Sequence, residues 1–333
     1  SDGQNIPYEM FMGLDGDKVP DIDLNVPATA QDGVKKFLSG YFGKERIAYA
    51  GTISSIAPFT AEGYIRNYEE LSGTTISYDK KDYIIDKLCN IHTGSGMHPA
   101  GLLVLPEGKE FSDFTPCCPA ESFYLPISQK SAFDFHHLHD TILKLDILGH
   151  IVPDIFKLLH KFTGISPVDV DIQDPEIYKI FSDVTALGIS AEDIDGITVG
   201  TLGLPEYNTD FMKEMLVKTQ PKSFTDLVKI SGLAHGTDVW INNAENLIER
   251  YPLSKLIALR SDIMLDLMRN GVDKATAYKF DDAIRKGLLS KGRLSDEEIA
   301  KFEQVTKPLG NWYFDCCSKI HYMFPKAHAA AYV

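Results

Sequence analysis

Val19-Pro20-Asp21-Ile22-Asp23-Leu24-Asn25 is the most informative stretch of this 333-residue chain. Pro20 favours an extended backbone at Val19, and the alternation of acidic and apolar residues that follows is typical of a half-buried strand. A period of two places Asp21 and Asp23 on one face of that strand, about 6–7 Å apart. Two neighbouring carboxylates raise each other's proton affinity unless a cation lies between them. Oxygen ligands on a rigid strand suit Mg²⁺ or Mn²⁺ better than zinc.

A second stretch with the same alternation is Leu143-Lys144-Leu145-Asp146-Ile147-Leu148-Gly149-His150. Lys144 and Asp146 share one face of the predicted strand, and alternate apolar residues share the other. If the two strands lie side by side, one ammonium group and three carboxylates converge, as a two-metal phosphoryl-transfer site requires. Acidic strand ends are also common on solvated surfaces, so the Asp-x-Asp pattern alone leaves both interpretations open.

Composition predicts a globular protein of about two or three modules. Apolar residues make up 44% of the chain and charged residues 24%, so disorder is not the default. The sequence has no run of 18 apolar residues and no signal peptide, and we expect neither a membrane-spanning nor a secreted protein. None of the five cysteines lies in a Cys-x-x-Cys motif, which predicts free thiols in a reducing cytoplasm.

The charge distribution separates an acidic region from a basic one. The net charge of −14 argues against a protein coated in nucleic acid. Residues 1–33 contain seven acids and one base, whereas residues 260–293 contain eight bases and five acids. An acidic metal-binding module beside a basic module is typical of an enzyme that acts on phosphates, although chance variation over a solvated surface gives the same numbers.

The remaining periodicities predict helices and short strands. Helical spacing covers three early segments, at residues 31–42, 51 to about 71, and 80–90. Residues 92–101 are predicted as a turn-rich loop, whose glycines could bring backbone N–H groups close to a phosphate. Short strands are predicted at residues 123–126 and 133–136.

After Pro153 the pattern is mainly helical. The predicted helices cover residues 154–162, 175–181, 209–218, 223–230, 237–250, 252–270, 274–286, 296–305 and 327–333. The last of them has no C-cap, and we therefore expect a fragment. Three histidines surround the Asp146 strand, namely His136, His139 and His150, and we interpret them as structural residues rather than zinc ligands.

Seven motifs follow one another in an order found in a known family. They are Val19–Asn25, Ala50–Ile53, His98–Gly101, Phe133–His136, Leu143–His150, Gly232–Trp240 and Met323–Tyr332. In this order they resemble the C-family of bacterial replicative DNA polymerases, and most closely its PolC type, the polymerase III alpha subunit of Gram-positive bacteria. The resemblance covers essentially the whole chain, and the last four motifs are long and specific.

The resemblance implies an α+β fold with a polymerase-beta-like nucleotidyltransferase palm, an inserted helical thumb and mainly α-helical fingers. The expected boundaries are 1–27 for the palm segment with the first catalytic strand, 28–90 for the helical thumb-like insertion, 91–165 for the palm segment with the second catalytic strand, and 166–333 for truncated fingers. By the same resemblance Asp21, Asp23 and Asp146 are catalytic and bind two Mg²⁺ ions, for which Mn²⁺ is an alternative.

The resemblance also implies the substrates, which are template-primer DNA and deoxynucleoside triphosphates. The expected reaction is template-directed DNA synthesis by nucleotidyl transfer to the primer 3′-hydroxyl. Five residues are assigned to nucleotide contacts: Lys144, Arg285, Lys286, Lys326 and His328. The expected location is the cytoplasm, at the nucleoid-associated replisome. A sliding clamp and other replisome proteins would bind through regions outside this chain, and no membrane partner is expected.

Several positions depart from the family pattern. Tyr49 stands at a usual arginine, Phe59 at a usual lysine, and His92-Thr93 at a usual basic pair. Ala100 replaces a glycine and Ala234 a serine. The lost cations predict weaker contacts with DNA and triphosphate, and the chain begins after the family's glycine-serine loop. We therefore expect residues 1–333 alone to lack polymerase activity.

Two other classes of function stay open at this point. A metal-dependent phosphohydrolase could use the same carboxylates, but it would need a positioned water and further histidine or acidic ligands. Release of pyrophosphate would discriminate against it. A non-catalytic remnant could bind DNA or a protein partner. The intact carboxylates argue against a remnant, and the missing basic residues argue mildly for one.

Overall fold

The computed structural model describes residues 4–20, 22–122 and 124–333. The chain divides into two compact units. One unit comprises residues 18–164, and the other combines residues 1–17 with residues 165–333. Two residues named in the sequence predictions, Asp21 and Phe123, lie outside the described residues.

The described residues form an α+β protein, as predicted from the sequence. The strands are β1 Ile22–Pro27, β2 Ile47–Ser55, β3 His92–Val104, β4 Cys117–Pro119, β5 Gln129–Asp134 and β6 Leu143–His150. The helices are α1 Glu9–Met12, α2 Gln31–Phe42, α3 Pro58–Ser72, α4 Tyr78–Leu88, α5 Val152–Thr163, α6 Pro175–Lys179, α7 Asp210–Thr219, α8 Phe224–His235, α9 Asp262–Arg269, α10 Lys274–Arg285, α11 Asp296–Thr306, α12 Asn311–Lys319 and α13 Lys326–Tyr332. All six strands lie in the 18–164 unit.

The six strands form one mixed sheet in the order β1-β6-β3-β2-β5-β4. The pairs β1–β6 and β2–β5 are parallel, and the other three pairs are antiparallel. One face packs on a core that contains Leu38 of α2 together with Leu145 and Ile147 of β6. Leu103 and Ile142 belong to a second core, and the partly buried Phe135 packs against it. The alternation along β6 therefore directs its polar residues away from the first core.

The helix predicted from Gly51 to about residue 71 is wrong over its first residues, because residues 47–55 form strand β2 inside the sheet and the helix α3 begins only at Pro58. Five consecutive residues at its start are buried, so the strand shows no alternation of apolar and polar residues. Gly51 is required there, because a Cβ atom on it would lie 2.2 Å from the Ser131 carbonyl oxygen. Residues 28–90 are consequently not wholly helical, although α2 and α4 match the helices predicted at residues 31–42 and 80–90, and α3 matches the later part of the helix predicted from Gly51.

The predicted loop at residues 92–101 is also wrong. These residues belong to the 13-residue strand β3, which pairs with β2 and then with β6. Residues 94–97 pair with β2, and the backbone N–H groups of Ala100 and Gly101 donate to His98 Nδ1, which leaves no phosphate-binding loop among these residues. Residues 124–126 are not a strand either, and Tyr124 is 99% exposed. The strand predicted at residues 133–136 lies earlier in the chain. It is β5, Gln129–Asp134, and a 3₁₀ turn at Phe135–His137 follows it.

The described part of the second unit is helical, and its large core contains the buried Trp240, with the partly buried Trp312 packed against it. The long helices predicted at residues 237–250 and 252–270 are wrong. Asp238, Asn242 and Ser261 adopt positive φ angles, which no helix accommodates, and only α9 and short 3₁₀ turns form there. Among the described residues, no helix is both long and apolar enough to cross a membrane.

A buried carboxyl group stabilises the bend before α9. Asp281 is fully buried, and its Oδ1 atom accepts hydrogen bonds from the backbone N–H groups of Ser261 (3.1 Å) and Met264 (3.3 Å). Its Oδ2 atom has no hydrogen-bond partner within the described part of the chain. Burial raises the pKa of Asp281 to about 7, against the opposing effect of the two N–H groups and Arg285.

We expect this carboxyl group to make stability depend on pH. Its folded pKa of about 7 lies above the usual aspartate value of 3.8, so the folded state binds a proton that the unfolded state has lost. Stability from Asp281 is therefore present at low pH and decreases as the pH rises from about 4 to 7, by up to about 4 kcal/mol. Asp281→Asn keeps the Oδ1 acceptor but cannot lose a proton, so it should remove this decrease. The free energy of unfolding, measured by urea denaturation at pH 5 and pH 8, checks this.

The exposed Asp315 provides the matched control, because Asp315→Asn makes the same chemical change on the surface of the same unit. Asp315→Asn should leave the pH dependence of the wild type intact. An equal decrease in stability between pH 5 and pH 8 for wild type and Asp281→Asn would contradict the assignment.

Candidate active site

The sheet places two of the predicted carboxylates side by side. β1 and β6 are parallel neighbours, and Asp23 lies opposite Asp146 in their register. Residues opposite each other in adjacent strands are about 4.8 Å apart and point to the same face. Asp23 is exposed, whereas Asp146 is partly buried. The two acidic strands are therefore neighbours, which the convergence of the carboxylates required, while Asp21 lies outside the described residues and the convergence of all three stays a prediction.

The two oxygens of Asp146 have different surroundings. Oδ2 is 2.8 Å from the ammonium nitrogen of Lys144, which lies on the same face of β6. The Lys144 ammonium also lies over the Phe135 ring, 4.3 Å from its centroid. Oδ1 is buried and accepts no hydrogen bond from any described residue. A buried carboxylate oxygen without a partner is costly unless a cation or a donor reaches it.

The neighbouring strand β3 closes the other side of Asp146. Gly101 lies opposite Asp146 in the antiparallel register. A Cβ atom on Gly101 would lie 2.8 Å from Lys144 Cε, 2.9 Å from His98 Nδ1 and 3.1 Å from Asp146 Oδ1. These separations are below ordinary contact distances. Glycine is therefore the residue that lets β3 approach this close.

His98 is neutral in this arrangement. Its Nδ1 atom accepts hydrogen bonds from the backbone N–H groups of Gly101 (2.7 Å) and Ala100 (3.3 Å). Nδ1 is 3.9 Å from Asp146 Oδ1, beyond hydrogen-bond distance. Burial lowers the pKa of His98, the Lys144 ammonium lowers it further, and the Asp146 carboxylate opposes both.

The donor set fits a hard divalent cation. Asp23 and the buried Oδ1 of Asp146 offer carboxylate oxygens on one face of a rigid sheet, which Mg²⁺ and Mn²⁺ prefer. The described residues contain no group of three or more histidine, cysteine, aspartate or glutamate side chains that could hold a metal ion. Because Asp21 lies outside the described residues, the prediction of a third ligand there is not tested.

A polar row continues along the same face beyond the carboxylates. His150 Nε2 is 2.8 Å from Asn25 Oδ1, and the two residues share the alternation phase of Asp146 and Asp23. The sequence predictions left out this contact and the roles of His98 and Gly101. The alternation along the two strands could have predicted the contact between Asn25 and His150. No sequence signal predicts the hydrogen bonds of His98.

The basic residues assigned to the fingers lie in the other unit, with partners of their own. Arg285 ends α10 and pairs with Asp282, and Lys286 Nζ is 2.6 Å from Asp282 Oδ2. Burial raises the pKa of Asp282, but Lys286 and Arg285 outweigh this and hold it below its usual value. One carboxylate thus neutralises part of the charge of both cations.

The other two assigned residues belong to α13. The ammonium group of Lys326 donates a hydrogen bond to the Asn5 carbonyl (3.3 Å). Burial lowers the pKa of Lys326. The His328 ring stacks on Tyr332 with centroids 4.6 Å apart and an interplanar angle of 12°. Contacts of these residues with a nucleotide stay predictions.

The departures at Tyr49 and Phe59 have different structural meanings. Tyr49 is fully buried in the sheet core, and burial raises its pKa to about 12. A cation at this position would be internal and would need a buried partner. Phe59 is 79% exposed, and Thr93 is also exposed. The expected loss of surface charge therefore applies to Phe59 and Thr93 and not to Tyr49.

Comparison with known proteins gives two family matches. Residues 145–307 match the bacterial DNA polymerase III alpha subunit finger domain, and residues 2–69 match the bacterial DNA polymerase III alpha NTPase domain. The first match covers Asp146, most of its strand and most of the helical unit, and the second covers the Asp23 strand.

The chain is also similar over its whole length to proteins named DNA polymerase III PolC-type. It is 40% identical to the one from Thermotoga maritima, 42% to the one from Listeria innocua and 43% to the one from Mycoplasmopsis pulmonis, in each case over 100% of this chain. It covers 24%, 23% and 23% of these relatives, respectively. The chain therefore spans about a quarter of the length of the curated relatives it matches.

Proposed function

The chain belongs to the PolC-type DNA polymerase III family, and from this we propose that its 18–164 unit supplies the catalytic carboxylates for template-directed DNA synthesis. The observation that carries the proposal is the pairing of Asp23 with Asp146 across neighbouring strands. The unpartnered Oδ1 atom of Asp146 supports it, because a cation would offset the cost of burying a carboxylate oxygen without a hydrogen-bond donor.

In this proposal, Asp21, Asp23 and Asp146 hold two Mg²⁺ ions, with Mn²⁺ as an alternative. When bound, the ions lower the pKa of the primer 3′-hydroxyl and neutralise the charge that develops during in-line displacement. The chain itself orients the ligands. Lys144 fixes Oδ2 of Asp146, so that Oδ1 is the oxygen left for the cation.

The proposed substrates are template-primer DNA and deoxynucleoside triphosphates. We assign the sheet to a polymerase-beta-like palm, residues 58–90 to the helical part of a thumb, and the helical unit to fingers that contact the triphosphate through Arg285, Lys286, Lys326 and His328. Both Arg285 and Lys286 would have to exchange Asp282 for phosphate oxygens. A sliding clamp and other replisome proteins would bind the remainder of a longer polymerase in the cytoplasm.

A primer-extension assay on the polymerase that contains this chain tests the proposal. We expect Mg²⁺-dependent incorporation that releases one pyrophosphate for each nucleotide added. Release of inorganic phosphate without extension would instead indicate a phosphohydrolase, and DNA binding without either product would indicate a non-catalytic remnant. Residues 1–333 alone should not extend primers, because they span only about a quarter of the length of the related polymerases and the positioning of substrates contributes much of the rate.

A further inference from the structure

We propose that His98 is a positioning residue that fixes the orientation of Asp146 through the backbone of β3, an inference that rests on the proposed function of Asp146. His98 does not touch the carboxylate by a hydrogen bond, since its Nδ1 atom is 3.9 Å from Oδ1. It acts on the strand that contacts the carboxylate. The imidazole folds back over its own strand and accepts the N–H groups of Ala100 and Gly101.

Because Gly101 lies so close to Asp146, the hydrogen bonds that His98 accepts also affect the position of the Asp146 carboxylate. Gly101 is the direct neighbour of Asp146 in the β3–β6 ladder. A Cβ atom there would lie within 3.1 Å of both His98 Nδ1 and Asp146 Oδ1, so no atom fits between the three groups. A shift of the β3 backbone at Gly101 would therefore displace Oδ1, the oxygen offered to the cation. The His98 hydrogen bonds oppose such a shift.

The role depends on the lone pair of Nδ1. An imidazole nitrogen that accepts hydrogen bonds carries no proton, and the ring proton is therefore on Nε2. Asparagine places an amide oxygen at the same distance along the side chain, and this oxygen can accept two hydrogen bonds. Alanine leaves both N–H groups without their acceptor. Ala100 is only 8% exposed, so water would be a poor replacement.

Binding of Mn²⁺ to the polymerase, measured by electron paramagnetic resonance, tests the proposal with His98→Ala, His98→Asn and a control. We expect His98→Ala to weaken Mn²⁺ binding by about 10–100-fold, as for other groups that orient metal ligands. His98→Asn should stay within about threefold of wild type. His92→Ala, at the exposed start of the same strand, should leave Mn²⁺ affinity unchanged.

Wild-type Mn²⁺ affinity in His98→Ala would overturn the proposal. So would equal weakening in His98→Asn and His98→Ala, because that would assign the effect to the imidazole ring rather than to its acceptor. Asp146→Asn distinguishes a failure of the proposed role of His98 from a failure of the proposed function of Asp146. Loss of Mn²⁺ binding in Asp146→Asn but not in His98→Ala would reject the role of His98 alone. Unchanged binding in Asp146→Asn would reject the proposed function itself.

Discussion

Asp146→Asn is expected to slow nucleotide incorporation by at least about 10³-fold, which corresponds to about 4 kcal/mol of transition-state stabilisation. The substitution keeps the size of the side chain but removes the negative charge that would hold a cation. Affinity for template-primer DNA should change little, because it comes from the neutralisation of phosphates by lysine and arginine. Single-turnover incorporation and DNA binding, measured on the same preparation of the polymerase, separate these effects.

Asp140→Asn is the matched control for this prediction. Asp140 is an exposed aspartate that lies shortly before β6 and pairs with His139 (3.0 Å). Its replacement should leave the incorporation rate near that of wild type. A near-wild-type rate in Asp146→Asn would contradict the assignment of this carboxylate to the catalytic site.

Gly101→Ala is expected to have the second largest effect on activity. The added Cβ atom would lie 2.8 Å from Lys144 Cε and 3.1 Å from Asp146 Oδ1, so the strand or the site must move. Overpacking of this kind destabilises by about 1–3 kcal/mol. A displaced catalytic group should reduce incorporation about 10²-fold. Rates of incorporation and thermal unfolding of the polymerase measure the two effects.

Gly94→Ala provides the control within the same strand. A Cβ atom on Gly94 meets no described atom within 4 Å, so both activity and stability should stay near wild type. If Gly101→Ala retained the wild-type incorporation rate, the close packing of β3 on Asp146 would have no catalytic significance.

The strands that carry the carboxylates were predictable because each has one polar and one apolar face. Asp23 and Asp146 follow the period of two, and their placement on neighbouring strands is confirmed. Strand β2 was not predictable in this way. It is buried at both faces over its first residues, and such a run has no period that separates a strand from a helix. Its place in the sheet depends on contacts with β3 and β5, which are distant in sequence.

In the helical unit too, the sequence predicted some elements and not others. Helices with clear N-caps, such as α8 after Ser223 and α11 after Ser295, begin where they were predicted, although α8 continues to His235, beyond its predicted end at residue 230. The segment from residue 237 to 261 has helical spacing of apolar residues but folds mainly as turns. Ser261, held by the buried Asp281, adopts a left-handed conformation that local sequence preferences disfavour. Tertiary contacts decide the structure there, as they do for His98 and Gly101.

The position of Mn²⁺ in a crystal of the polymerase with template-primer and an incoming nucleotide would show whether Asp23 and Asp146 hold the ion. Anomalous scattering from Mn²⁺ identifies the ion independently of any activity. We expect an anomalous peak at coordination distance from both Asp23 and Asp146 Oδ1, and its loss in Asp146→Asn. An ion bound elsewhere, with the Asp146 carboxylate in contact only with Lys144, would contradict it.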